Sequence, residues 1–191
     1  MDPTPVINNW PGWKGKIANK VPTMLSAGIG GGNRWGYQTL KLRTGGGNQV
    51  VERFKLLLDK RQLAELNTPF DEVAALSKDK VETWFKDYLH KLYEWITQEL
   101  GSILQKKLED MKVDFLFSVP TTWDQETKDD YLNIIKVSGF GSASNQIHTP
   151  RISLNEAEAA AIFIALCHPK EADHKFKVSK QVGIRILILA G

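Results

Sequence analysis

The chain has 191 residues, 42% of them hydrophobic and 25% charged, and a net charge of +3. That length and balance suit a folded domain with a real core and exclude a disordered or collagen-like chain. The charge is too small and too scattered for a nucleic-acid footprint, and no stretch approaches the ~18 uninterrupted apolar residues of a membrane span.

The single cysteine, Cys167, cannot close an internal disulfide and reads as a buried structural thiol. His90, His148, His168 and His174 show no metal-ligand spacing with it, so no metal site is expected. Met1-Asp2-Pro3-Thr4-Pro5 lacks the basic and apolar runs of a signal peptide, and a cytoplasmic or nuclear location is expected.

Residues 1–20, with Trp10-Pro11-Gly12-Trp13 in the middle, read as an irregular entry segment. Val21 to Leu25 and Trp35 to Leu42 read as short strands, separated by the glycine run Gly28 to Asn33. A second run, Gly45-Gly46-Gly47, lacks the Lys-Ser/Thr of a Walker loop, and the first is not followed by a helix. Both read as hairpin tips. Residues 49–58 are helical or extended, and 59–78 form a loop with a short helix.

From Asp79 to about Leu108, apolar residues recur at three and four. Val81, Trp84, Phe85, Tyr88, Leu89, Leu92, Trp95, Ile96, Leu100, Ile103 and Leu104 make one stripe of a long amphipathic helix that packs on a core. Gly101 is expected to bend or weaken it, and Lys106-Lys107 to lie on its solvated face. Asp114 to Val119 is a buried strand stopped by Pro120. A helix follows from Asp124, its N-cap, to about Val137, with Gly139 as a stop. Ile147 to Ile152 reads as a strand, 154–166 as an alanine-rich helix, 168–180 as a loop or hairpin, and Ile184 to Leu189 as an apolar strand. Alternating strands and helices predict an α/β layered fold with a largely buried sheet. A core strand running straight into Ala190-Gly191 also leads us to expect that the chain is cut off there.

Spacing alone therefore yields an α/β domain without an identifiable chemistry. A resemblance adds to it. Phe117-Ser118-Val119-Pro120-Thr121-Thr122-Trp123-Asp124 resembles the strand-proline-helix element of 70-kDa heat-shock (DnaK-type) ATPase domains. Leu154-Asn155-Glu156-Ala157-Glu158-Ala159-Ala160-Ala161 resembles their Asn-Glu-Pro-x-Ala-Ala-Ala helix, with Ala157 in place of Pro. Lys20-Val21-Pro22-Thr23, Trp35-Gly36-Tyr37 and Phe54-Lys55-Leu56-Leu57-Leu58-Asp59 fall in the family's order, as do residues 184–191. The Trp-Pro-Gly opening and Thr-Thr-Trp variant resemble the divergent heat-shock-70-like branch common in fungi.

The resemblance implies a truncated first lobe, over 1–191, of an actin-like (ribonuclease H-like) ATPase, a partial α/β unit with a mixed sheet and flanking helices. Its parts would be the entry segment to 20, strands and the long helix over about 21–110, and an α/β core over about 111–191. The implied cofactors are ATP and Mg²⁺, and the implied chemistry is phosphoryl transfer to water coupled to protein chaperoning. Lys55 would lie near the γ-phosphate, its alternative being a surface lysine beside Asp59. Glu156 would place the water shell of Mg²⁺, its alternative being an acid favoured at a helix N-terminus. Ala190 and Gly191 would begin a phosphate loop. Pro120 and Arg151 would relay nucleotide state between domains, Arg151 being otherwise a surface ion-pair partner. The family's first phosphate loop, Gly-x-Asp-x-Gly-Thr-Thr, has no counterpart before Trp10, and Leu189 stands where the second loop has aspartate. The chain by itself is therefore expected not to hydrolyse ATP. Expected partners are protein clients or co-chaperones. The alternative is a non-catalytic interaction module, self-associating through exposed sheet edges.

Overall fold

Seven residues, Val113–Val119, form strand β3 at the centre of the molecule, and their burial explains the apolar run that encodes them. The computed structural model describes residues 7–13, 18, 20–27, 34–42, 49–66, 76–141, 147–167 and 184–188, with backbone alone for 27, 49, 163–167 and 184–188. Strand β1 spans Met24–Ala27 and pairs antiparallel with β2, Gln49–Glu52. Helix α1 is Lys60–Leu66 and helix α2 is Lys78–Leu104. After β3 come α3, Gln125–Ile135, then β4, His148–Asn155, α4, Glu156–Cys167, and β5, Ile184–Ile188. The protein is thus α/β. Among the described residues its strands form two sheets, the β1–β2 pair and a parallel trio in the order β4-β3-β5, rather than one mixed sheet.

Helix α2 begins where Ser77 Oγ accepts the Lys80 amide, with Asp79 in the first turn. Both features complement the free amides of a helix start. Val81, Phe85, Tyr88, Leu89, Leu92, Ile96 and Leu100 are buried, so most of the stripe packs on the core. Trp84 and Trp95 are only half-buried, and Ile103, in the last turn, is exposed. The helix ends at Leu104, short of the expected Leu108, because Gln105 turns left-handed and donates to the Gly101 carbonyl. Gly101 therefore lies in the terminal turn and not at a bend. Lys106 and Lys107 are exposed beyond the helix.

Trp35 to Leu42 is not a strand. Trp35 bridges Leu25 through its backbone, and Gly36–Thr39 then winds into a 3-10 turn. Thr39 Oγ1 donates to the Gly36 carbonyl at 2.7 Å, and Gln38 Oε1 accepts the Trp35 amide at 3.3 Å. These local bonds close the turn and outcompete the alternating pattern. Gly36 has φ +55, and a Cβ there would come within 2.5 Å of a Val21 methyl. Thr39→Val, nearly isosteric and more strand-prone, should cost about 1 kcal/mol of unfolding free energy in urea, because the buried hydroxyl bond is lost. A neutral or stabilising result would count against this turn as the native form.

Asp124 caps α3 as expected, its Oδ1 accepting the Thr127 amide at 2.8 Å. The helix runs on into a wide turn, Lys136–Phe140, within which Gly139 leaves helical geometry with φ +115. A side chain there would sit 2.7 Å from the Tyr93 ring, so only glycine closes this turn against α2. His148, at the start of β4, is buried. Tyr93 donates its hydroxyl to Nδ1 at 3.0 Å, and Nε2–H donates to the Leu108 carbonyl at 2.8 Å. It pins the start of β4 to the middle of α2 and to the short turn, Leu108–Asp110, that follows that helix. Strand β4 reaches Asn155, three residues beyond the expected Ile152. Phe117 pairs with Ile152 but Ser118 with Leu154, so Ser153 is the extra residue of a β-bulge.

Candidate functional site

The parallel strands β3 and β4 end side by side, Val119 opposite Asn155. Ligands of open parallel sheets bind outside such carboxyl ends. Two charged groups meet here from 101 positions apart in sequence, Lys55 Nζ lying 3.2 Å from Glu156 Oε1.

Local geometry explains how a lysine comes to be inside. Arg53, just after β2, has φ +58, uncommon for a residue with a side chain. Strand alternation stops there, and consecutive residues turn inward. Phe54 is fully buried against Phe85 and Tyr88, and Lys55 is 3% exposed. The alternative of a surface lysine beside Asp59 is overturned. Asp59 instead binds Arg61, which reaches its Oδ1 and Oδ2 at 3.1 and 2.8 Å and donates onward to the Thr122 carbonyl at 2.7 Å. That bridge, with the Lys60–Glu126 ion pair, ties the Lys55 segment to the start of α3.

Glu156 opens α4. Asn155 and Glu158 form a reciprocal capping box before it, each side chain accepting the other's backbone amide at 2.9 Å. The cap fixes where the helix begins, and the bulge at Ser153 fixes where the cap lies relative to β3. Glu156 is 49% exposed while Lys55 is buried, so the pair has one dry end and one wet end. Burial lowers the pKa of the Lys55 ammonium from its ordinary value, and the Glu156 carboxylate acts against that fall.

Two aromatic rings complete the enclosure. Lys55 Nζ lies 5.7 Å from the Trp123 ring centre and 5.8 Å from that of Tyr131. The Ser118 carbonyl is 3.5 Å away. Ser118 Oγ and the Tyr131 hydroxyl are buried without a hydrogen-bond partner among the described residues. Burial and the Glu156 charge push the Tyr131 hydroxyl far above its ordinary range, so it stays neutral.

Pro120 ends β3 and accepts the Trp123 amide at 3.3 Å, closing the turn that returns Trp123 to the site. It also lines a groove of about 510 Å³ with Lys128 of α3 and Asn155 of β4. Arg151 is not part of the cluster. It lies opposite Leu116, towards mid-strand, exposed, and 3.5 Å from Asp114 as an ion-pair partner. Ala190 and Gly191 lie outside the described residues, as does the Cys167 side chain. Trp123 entered the sequence reading only within the Thr-Thr-Trp resemblance, and Tyr131 drew no reading from the sequence.

No protein-family model, curated protein or solved structure matches the chain. Among the described residues no helix is long and apolar enough to cross a membrane, and no group of three or more His, Cys, Asp or Glu could hold a metal ion.

Proposed function

We propose that the chain is a nucleotide-handling lobe of the actin-like, 70-kDa heat-shock type, with Lys55 facing the terminal phosphates of ATP and Glu156 facing the water around Mg²⁺. The observation that supports this reading is the half-dry Lys55–Glu156 pair at the carboxyl edge of the parallel strands. An ammonium stripped of water interacts far more strongly with an arriving negative charge than one in solvent. The half-exposed carboxylate can accept hydrogen bonds from ordered water, while pairing with Lys55 keeps the buried cation charged until a phosphate competes for it.

The residues present fit Mg²⁺ only indirectly. With no cluster of carboxylates among the described residues, the ion would be held by phosphate oxygens and retained waters, the usual habit of this hard cation. When bound, it neutralises phosphate charge. In the family resembled, the chemistry so served is phosphoryl transfer coupled to chaperoning of protein clients; hydrolysis by this chain alone is not expected.

Calorimetric titration with Mg-ATP tests the reading. The chain should give saturable binding, and Lys55→Met should weaken it by about tenfold or more, the worth of one charge-assisted hydrogen bond. An absence of binding, or equal affinity in the variant, would sink it.

A further inference from the structure

We infer that Trp123 and Tyr131 are positioning residues, a two-ring box that holds the Lys55 ammonium in place by cation–π attraction and aims it at the wet carboxyl edge. Both ring centres lie within the roughly 6 Å over which a cation feels the ring quadrupole. The rings meet edge to face, 5.2 Å apart at 78°, so they offer the cation two differently oriented walls.

The walls are rigid. Tyr131 stacks on Phe85 of α2 at 5.4 Å and meets Phe117 of β3 edge-on at 6.1 Å. Trp123 is held by the turn from Pro120. A lysine stem has four torsions, and an ammonium brought out of water loses strong hydration. The Glu156 carboxylate replaces part of that hydration on one side, and the ring faces replace part of it on the others. The Tyr131 hydroxyl has no hydrogen-bond partner among the described residues, so the ring and not the oxygen is what acts on Lys55.

The box itself does not depend on nucleotide; only its consequence for phosphate binding rests on the function proposed above. Titration of the Lys55 Nζ resonance by NMR separates the two. Tyr131→Phe keeps the ring and should leave the midpoint in place. Tyr131→Leu keeps the site apolar but removes the quadrupole, and should move the midpoint further down. Trp123→Leu should do the same, and carries the test if Tyr131→Leu does not fold. Equal midpoints in the Phe and Leu variants, or no movement in Trp123→Leu, would overturn the box. In the same proteins Mg-ATP affinity should fall about fivefold for the Leu variants and hold for Tyr131→Phe. If the wild type binds no Mg-ATP while the midpoints move as stated, the nucleotide reading fails and the box stands.

Discussion

Phe117→Ala is expected to lower the unfolding free energy by about 3–5 kcal/mol, measured by urea denaturation with an unchanged slope. Phe117 is fully buried on the central strand. It meets Phe140 edge-on at 5.0 Å and Tyr131 at 6.1 Å, so truncation opens a cavity between β3, α3 and the turn that follows α3. Those neighbours cannot close it freely. Phe140 is held against Tyr93 and Phe115, and Tyr131 against Phe85. The loss should also be felt at the site, because Tyr131 forms one wall beside Lys55. Val137→Ala, at a position 66% exposed, serves as the control and should stay within about 0.5 kcal/mol. A Phe117→Ala cost below about 1 kcal/mol would mean that β3 is not the centre of the core.

Elements that obey one local rule were legible in the sequence. Helix α2 announced itself by its period, because one face of it meets the core along nearly its whole length. Strand β3 and the Asp124 cap were legible for the same reason, one through a continuous apolar run and the other through a side chain serving its own backbone. What failed depended on partners distant in sequence or on competing local bonds. Trp35 to Leu42 alternates like a strand, yet Gln38 and Thr39 close a turn. The true end of β4 depends on a bulge against β3, which no pattern within β4 reveals. The site was harder still. Lys55 sits next to Phe54, and both are buried where the strand gives way, past the left-handed Arg53, to a tight turn. Composition and spacing gave no reason to join Lys55 to Glu156; both residues entered through a family resemblance. That their side chains meet is a fact of the structure. Their role towards ATP remains the proposal made above.

Glu156→Gln should cost about 2 kcal/mol at pH 7, less than the 3–5 typical of breaking a fully buried pair, because the Glu156 side chain is 49% exposed. Lys55→Met should change stability by no more than about 1 kcal/mol, since it removes the buried charge and leaves a carboxylate that water can solvate. The double variant should resemble Lys55→Met, giving a coupling of about 2 kcal/mol in a double-mutant cycle. Additivity of the two single changes would show that the pair is a contact without energetic weight. The pH dependence provides a second check. Burial lowers the folded-state pKa of Lys55 below its ordinary 10.5. Between the folded and unfolded values the unfolded chain binds more protons, so this residue's contribution to stability rises as pH rises through that window. Removing the Glu156 charge deepens the fall of the folded value and widens the window towards neutrality. The stability of Glu156→Gln relative to wild type should therefore recover in alkali, and Lys55→Met should abolish the recovery. A deficit that stays constant with pH would place the cost of Glu156→Gln in the first turn of α4 rather than in the stranded ammonium.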